Sequence, residues 1–175
     1  GTDIGGTWYW NRYPGARCDS ESHTYGYTFS KKIYKNWTWK EKFPNQATIL
    51  KYLKYVEKKL NLRKDILFNN KIISAKYLER KNLWQVKTNK NKVLFCKYLI
   101  CAVGSLSAAN IPKLRGLNKY EGKYYHTGRW PKKSVNLKDQ VVAQIGTGSS
   151  GIQVAPEIAK VVKKLVIFQR TPNYS

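Results

Sequence analysis

The chain has 175 residues and a formal charge of +23, from 33 basic and 10 acidic side chains. The basic residues are scattered along residues 31–175, which is typical of a solvated surface, so no nucleic-acid partner is expected. The longest mostly apolar stretch, 98–111, is too short and too interrupted to span a bilayer. The 3 cysteines form neither a CxxC pair nor a metal-ligand spacing, so no metal site is expected and a reducing, cytoplasmic location is favoured. No membrane partner is expected either, because no apolar stretch is long enough to span a bilayer.

Both ends of the sequence indicate an internal piece of a longer protein. The chain contains no methionine, begins on a glycine-rich turn and stops just after an apolar run. We therefore expect a fold that is incomplete at both ends.

The first part of the chain predicts a loop followed by an amphipathic helix. Residues 1–30 are rich in glycine and aromatic residues and lack helical or strand periodicity, so a long ordered loop is expected. A helix is predicted to begin near Pro44, with Asn45 close to its cap. The apolar face of this helix consists of Ile49, Leu50, Leu53, Val56 and Leu60.

The middle of the chain predicts short strands. Residues 66–76, 84–88 and 93–96 have strand character, and residues 89–92 suit a turn between the last two strands. The continuous apolar run at 98–103 is typical of a buried parallel strand.

The C-terminal part predicts a β-α-β unit around a glycine-rich turn. Strands at 140–145 and 165–169 flank a helix at 149–160. The turn has the form GxGxxG, in which the glycines allow a tight turn, close approach of a pyrophosphate and close helix packing. The residues expected to contact the dinucleotide are Gly146, Thr147, Gly148, Ser149, Ser150, Gly151 and Gln153. A glycine-rich turn without a ligand is the alternative.

Two other glycine motifs do not match this turn. A P-loop requires lysine after its last glycine, where this chain has Ile152. A nucleophile elbow requires Gly-x-Ser-x-Gly, which no register of the turn provides. Ser149 and Ser150 therefore suit the start of a helix and contacts to phosphate better than the role of a nucleophile.

The end of the second strand indicates which dinucleotide is bound. A site for NAD places an acidic residue there to bind the ribose 2′-hydroxyl, but this chain has Gln169, Arg170 and Thr171. A guanidinium pairs with phosphate through parallel N–H donors, so Arg170 favours NADP. An ordinary exposed arginine is the alternative.

Two further runs lie upstream of this unit. Residues 5–19 read GGTWYWNRYPGARCD, in which Gly5 and Gly6 suit close approach of the backbone to a phosphate or a ribityl chain. Residues 120–131 read YEGKYYHTGRWP, an aromatic residue followed by glycine, histidine and Trp-Pro at fixed intervals. On spacing alone, His126 is interpreted as a packed or capping histidine.

The order and spacing of these three runs resemble the Baeyer–Villiger monooxygenases, which are flavoenzymes within the flavin-containing monooxygenase superfamily. The resemblance implies an α/β, Rossmann-like flavoprotein with two dinucleotide-binding domains. Residues 1–112 would form a partial FAD-binding domain without its first βα turn. Residues 113–175 would form the linker with the His126 run and the start of the NADP-binding domain.

The resemblance implies an enzyme that uses FAD, NADPH and O₂. In such an enzyme NADPH reduces FAD, O₂ adds at flavin C4a, and the resulting peroxide converts a small ketone into an ester or a lactone. Two alternatives stay open: an N- or S-oxygenating flavin monooxygenase, and a non-catalytic basic binding module on a flavoprotein scaffold. The Trp-Pro ending of the His126 run favours the Baeyer–Villiger branch, and the 175-residue piece is expected to be inactive by itself.

The resemblance also implies roles for individual residues. Those expected next to FAD are Gly5, Gly6, Thr7, Trp8, Asp19, Tyr25 and Ile72. Those expected next to NADP, besides the glycine turn, are Arg17, Cys18, Gln169, Arg170 and Thr171. Asp19 and His126 receive catalytic roles, Asp19 by orienting an arginine expected downstream of the chain and His126 by coupling the two domains. Lys132 stands where the family usually has an acidic residue, so a salt link from that position is not expected.

Overall fold

The computed structural model of the chain describes residues 1–172 and has an α/β architecture. Its helices are α1 (Thr7–Trp10), α2 (Ser22–Tyr25), α3 (Lys31–Tyr34), α4 (Gln46–Leu60) and α5 (Ser149–Ala159). Its strands are β1 (Ile72–Leu78), β2 (Leu83–Thr88), β3 (Val93–Cys96), β4 (Val141–Ile145) and β5 (Lys164–Phe168). Short 3₁₀ turns lie at Leu62–Asp65, Glu79–Lys81, Leu117–Lys119 and Thr127–Arg129.

The N-terminal 30 residues contain short helices, so the prediction of a loop without regular structure is wrong there. Helices α1 and α2 are single turns of 4 residues each. Gly5 and Gly6 have positive φ angles of 121° and 49°, which turn the chain directly before α1. Helices this short carry no detectable periodicity, because one turn places a single residue on each face.

Helix α4 forms where the sequence predicts it. The Asn45 side chain accepts a hydrogen bond from the Thr48 N–H at 2.9 Å, which caps the helix and confirms the predicted start. The helix buries Ile49, Tyr52 and Val56. Tyr52 was not expected on the buried face, and it is almost completely enclosed by neighbouring aromatic rings.

Strands β1, β2 and β3 pair in this order as an antiparallel sheet. The predicted turn at 89–92 is confirmed, because the Thr88 N–H donates to the Lys92 carbonyl at 2.9 Å. The first strand begins at Ile72 and not at residue 66 as predicted. Asn69 has a positive φ of 57°, which breaks the extended backbone before the strand begins.

The predicted buried strand at 98–103 is wrong. The segment has no regular structure, and Tyr98 and Ile100 are 84% and 86% exposed. A strand is stable only when its N–H and C=O groups pair with a neighbour, and within residues 1–172 no strand lies beside this segment.

The β-α-β unit is confirmed. Strands β4 and β5 are parallel, with Val141 opposite Lys164 and Ile145 opposite Phe168, and α5 connects them. Each boundary agrees with the prediction to within one residue. Parallel strands need such a crossover, and the helix covers one face of the pair.

One apolar cluster joins the N-terminal loop to the β-α-β unit. Its buried members are Tyr13 and Ala16 from the loop and Val154 and Ile158 from α5. The hydrophobic side chains that pack around it are Trp130, Leu137, Val142, Val162 and Leu165. Segments from both sides of the predicted domain boundary at residue 113 therefore share a core here, and the boundary itself stays a prediction.

Candidate functional site

The glycine turn between β4 and α5 forms an open cradle. Gly146 has a φ of 96°, and a Cβ added at Gly151 would lie 2.6 Å from the Gly146 carbonyl oxygen, so neither position accepts a side chain easily. A Cβ added at Gly146 or Gly148 would meet no atom within 4 Å, so the mouth of the turn is open. The first N–H groups of a helix have no acceptor within it. The turn therefore leaves room for the phosphates of a dinucleotide, and the assignment of residues 146–151 to NADP stays a prediction.

Gln144 supports this turn from within β4. Its Nε2 donates to the Gly146 carbonyl at 3.0 Å and to the Gly151 carbonyl at 3.1 Å. Its Oε1 is buried and has no hydrogen-bond partner in the described part of the chain. Sequence reasoning missed this residue, although a glutamine within an otherwise apolar strand was the signal that could have revealed it.

The end of β5 lies beside the same turn. The Gly146 N–H donates to the Phe168 carbonyl at 2.9 Å, and Gln169 Nε2 donates to Thr147 Oγ1 at 3.0 Å. Arg170 and Thr171 follow as exposed residues. Arg170, the predicted partner of the 2′-phosphate, therefore lies at the edge of the cradle. Its role in binding that phosphate stays a prediction.

The predicted flavin-side residues of α1 pack against α4 and α2. Gly5 lies against Leu50, whereas a Cβ at Gly6 would meet open space. Trp8 is 9% exposed and packs on Cys18 and Ile49, so most of its indole is unavailable to a ligand. Thr7, by contrast, is partly exposed at the start of the turn.

Tyr25 lies next to Trp8 and accepts a hydrogen bond from its indole N–H. Burial raises the pKa of the Tyr25 phenol, and the hydrogen bond from Trp8 opposes this only in part. The phenol therefore stays protonated at neutral pH and keeps its O–H as a donor. A neutral donor at this place is compatible with the predicted contact to FAD.

The other predicted cofactor residues are distributed over two places. Arg17 and Asp19 are exposed on either side of Cys18, which is buried. Ile72 begins β1 and is half exposed. The loop just before β1 contacts the N-terminus, because the Asn69 N–H donates to the Gly1 carbonyl at 2.8 Å. Their roles toward FAD and NADP stay predictions.

The loop that carries Arg17 is attached to α5. Gln153 Oε1 accepts hydrogen bonds from the Tyr13 hydroxyl at 2.9 Å and from the Arg17 N–H at 3.2 Å. Gln153 Nε2 donates to the Arg17 carbonyl at 3.2 Å. The sequence singled out Gln153 as a cofactor contact and did not reveal that it binds this loop.

His126 caps a 3₁₀ turn. Its Nδ1 accepts a hydrogen bond from the Gly128 N–H at 3.2 Å, and its carbonyl accepts one from the Arg129 N–H at 2.9 Å. The ring is half-buried, and Trp130 at the end of the turn packs on the cluster that joins the loop to α5. The capping interpretation is thus observed, and the coupling role stays a prediction.

Lys132 makes a contact that the sequence did not predict. Its Nζ lies 5.5 Å from the centre of the Tyr9 ring and 3.4 Å from the Tyr9 hydroxyl. The hydrogen bond from Thr2, assisted by the one from Lys132, lowers the pKa of the Tyr9 phenol. The lysine thereby attaches the segment after the His126 run to α1 through a cation–π contact.

Comparison with known proteins identifies the family. A sequence profile described as FMO-like, Flavin-binding monooxygenase-like, matches residues 1–174, and the chain belongs to this family. It is 42% identical over 174 residues to cyclohexanone 1,2-monooxygenase of Acinetobacter sp, covering 99% of this chain and 32% of that protein. It is 41% identical over 180 residues to 2-oxo-Delta(3)-4,5,5-trimethylcyclopentenylacetyl-CoA monooxygenase of Pseudomonas putida, covering 99% of this chain and 33% of that protein.

The solved structures agree with these relatives. The chain matches the cyclohexanone monooxygenase from Rhodococcus sp. Phi1 bound to NADP⁺ with a TM-score of 0.93 and 46% identity, covering 99% of this chain and 33% of that one. The α/β flavoprotein fold and the resemblance to Baeyer–Villiger monooxygenases are confirmed. The chain spans about a third of the length of the curated relatives it matches.

Among residues 1–172, no helix is long and apolar enough to cross a membrane. In the same part of the chain, no cluster of three or more histidine, cysteine, aspartate or glutamate side chains is arranged to hold a metal ion.

Proposed function

We propose that the protein to which this chain belongs is an FAD- and NADPH-dependent monooxygenase that inserts one oxygen of O₂ next to the carbonyl of a small ketone. The observation that carries the proposal is the open glycine cradle at the start of α5, with Arg170 at its edge, in a chain whose relatives include several ketone monooxygenases. When bound, FAD and NADPH supply the hydride transfer and the activation of O₂.

The residues of this chain bind and orient the cofactors. The N–H groups at the start of α5 hold the dinucleotide phosphates, and the partial positive charge of the helix end favours their negative charge. Arg170 binds the 2′-phosphate of NADP through paired N–H donors. Gly6 permits close approach of FAD, and Tyr25 offers a neutral hydroxyl beside it. Asp19 is exposed next to Arg17, where a carboxylate orients a cationic side chain.

N-oxygenation is the second candidate. The observation that favours it is 39% identity over 171 residues to phenazine N-monooxygenase PhzNO1 of Lysobacter antibioticus. Three relatives of similar identity have names that state a ketone substrate, cyclohexanone, acetone or cyclopentanone. This favours ester or lactone formation over N-oxygenation. A cytoplasmic location accompanies the proposal, since the cysteine pattern fits a reducing compartment.

The test is the activity of the full-length protein. We expect the purified protein to show a flavin absorption spectrum and to oxidise NADPH faster when cyclohexanone or cyclopentanone is added, with the lactone detected by mass spectrometry. If NADPH oxidation is stimulated only by an aromatic amine and the product is an N-oxide, N-oxygenation replaces ketone oxygenation as the proposed function. A protein that binds neither flavin nor NADPH would contradict both proposals and favour the binding module.

A further inference from the structure

The main chain at residues 16–18 is extended and paired along one edge with the start of α4. The Gln46 N–H donates to the Ala16 carbonyl at 2.8 Å, and the Cys18 N–H donates to the Pro44 carbonyl at 3.0 Å. Extended backbone directs successive side chains to opposite faces, and Ala16 and Cys18 are accordingly buried. This edge of the segment is therefore fixed to the N-terminal part of the fold.

The opposite edge of the same segment is paired with a side chain. Residue 17 directs its N–H and C=O away from α4, because alternate residues of an extended chain pair on opposite edges. Gln153 Oε1 accepts from the Arg17 N–H, and Gln153 Nε2 donates to the Arg17 carbonyl, both at 3.2 Å. The carboxamide thus takes the place that a neighbouring strand would occupy.

Glutamine suits this place for a chemical reason. A carboxamide carries one acceptor oxygen and one donor nitrogen, as a peptide group does, whereas a glutamate would put a second acceptor against the Arg17 carbonyl. The oxygen of Gln153 also accepts from the buried Tyr13 hydroxyl at 2.9 Å. The loop therefore occupies both lone pairs of the oxygen and one of the two N–H groups.

The backbones of the loop and of α5 lie in direct contact around this side chain. Gly15 has a φ of 79°, and a Cβ there would overlap the Gln153 carbonyl oxygen. Tyr13 and Ala16 also share the apolar cluster with α5. The loop and the helix are therefore in van der Waals contact at Gly15.

We propose that Gln153 is a positioning residue that holds Arg17 and the adjoining Asp19 at a fixed place relative to the glycine cradle. Gln153 lies two residues after Gly151 on α5. Its hydrogen bonds to Arg17 therefore connect the loop that carries Arg17 and Asp19 to the predicted phosphate site. We call the hydrogen bonds of Gln153 to Arg17 and Tyr13 the clamp. The identity of the ligand rests on the proposed function, whereas the clamp is a property of the fold.

The experiment uses Gln153→Leu in the full-length protein with FAD bound. Trypsin cleaves after arginine only when the local backbone opens, so cleavage between Arg17 and Cys18 reports on the clamp. We expect faster cleavage at this bond, identified by mass spectrometry, with the FAD content and the Tm retained. The Kd for NADP⁺, measured by calorimetry, is expected to rise about tenfold, which is about 1.4 kcal/mol.

Two further variants make the test specific. Gln140→Leu makes the same change at an exposed glutamine before β4, and it is expected to leave both the cleavage rate and the Kd unchanged. Tyr13→Phe keeps the buried ring but removes one hydrogen bond to Gln153, and it is expected to raise the cleavage rate less than Gln153→Leu. If Gln153→Leu does not fold, unchanged cleavage in Tyr13→Phe overturns the proposal.

The outcomes separate the clamp from the cofactor. A folded Gln153→Leu protein with unchanged cleavage after Arg17 overturns the proposal. A raised Kd without faster cleavage assigns Gln153 to direct NADP contact and also overturns it. If the parent protein does not bind NADP⁺, the proposed function fails, and the cleavage rates alone still decide whether Gln153 holds the loop.

Discussion

Arg170 is the residue on which the choice of nucleotide depends. It lies exposed after β5, one residue beyond the Gln169 that bonds to the glycine turn. We expect Arg170→Ala in the full-length protein to weaken NADPH use by roughly 1.5–3 kcal/mol, the scale of a hydrogen bond to a charged group. NADH lacks the 2′-phosphate and is expected to be almost unaffected.

The measurement is kcat/KM for both nucleotides. Arg80→Ala, in the turn between β1 and β2, is the matched control and is expected to leave both values unchanged. An unchanged ratio of NADPH to NADH in Arg170→Ala would show that this arginine does not bind the 2′-phosphate.

Asp3 attaches the N-terminal segment to α4. Its carboxylate pairs with Lys54 at 2.9 Å and with Arg63 at 2.5 Å, and Arg63 also pairs with Glu57. The hydrogen bond from Lys54, followed by that from the Ile4 N–H, lowers the pKa of Asp3 from 3.8 to about 2. The ionised form is therefore the one that the folded state stabilises.

Because the pKa is lower in the folded state, this contribution is complete at pH values well above 3.8 and is lost progressively as the pH falls through 3.8 and past about 2. We expect Asp3→Asn to lower the free energy of unfolding by roughly 1 kcal/mol at pH 7, since surface ion pairs are screened by solvent. Most of the difference should be lost at pH 2. Urea unfolding at the two pH values measures it, and Asp65→Asn is the control at an exposed position. A loss of equal size at both pH values would contradict the ionic origin.

Residues with local signals were predictable, and residues with distant partners were not. The glycines of the turn and the Asn45 cap act on their immediate neighbours, so their types and spacing were sufficient. Gln153 binds residues that precede it by 136 and 140 positions, and no local pattern encodes such a contact. Tyr52 was missed because a tyrosine is read as half-polar, although here an aromatic cluster encloses it.

At the scale of elements, His126 at the start of its 3₁₀ turn has two candidate roles, capping of the turn and coupling of the two cofactor regions. As a cap, it stabilises the turn through the Gly128 N–H. As a coupling residue, it acts on the motion of the segment between the two cofactor regions, and mutations of such segments change kcat without removing the cofactor. We expect His126→Ala in the full-length protein to keep its FAD and most of its Tm but to lose ketone oxygenation more than about tenfold.

The measurement takes flavin content, Tm and the ratio of product to NADPH consumed from one preparation. His23→Ala, at an exposed histidine in α2, is the control. A His126→Ala protein with a lowered Tm and an unchanged product ratio would leave only the capping role.

The elements of the β-α-β unit were predicted to within one residue because three independent signals coincide there. Apolar strands, a glycine turn and an amphipathic helix each specify the same boundaries. The apolar run at 98–103 gives only one signal, and its hydropathy cannot show whether a partner strand lies beside it. The strand prediction failed for that reason.

At the scale of the whole molecule, apolar exposure and positive charge act in opposite directions. Tyr98, Ile100, Val103 and Leu106 are 65–86% exposed, an unusual density for one short segment. The charge of +23 keeps molecules apart at low ionic strength. Salt screens this repulsion and leaves the apolar attraction almost unchanged.

We therefore expect residues 1–175, expressed alone, to self-associate increasingly as salt is raised from low to physiological concentration. Light scattering and binding of a hydrophobic dye measure this, and the double variant Tyr98→Ser with Ile100→Ser should reduce both. A soluble, monomeric, yellow protein with one FAD per chain at physiological salt would contradict this expectation and the predicted inactivity of the piece.

The contact between Gly15 and α5 predicts which positions vary among related sequences. Gly15 faces the backbone of residue 153, so the need for glycine there is independent of which side chain residue 153 carries. Tyr13 contributes one hydrogen bond to Gln153, whereas the Arg17 backbone contributes two that no substitution at position 13 can replace. Across related sequences, position 15 should therefore stay glycine and position 153 should stay glutamine, whereas position 13 should vary more.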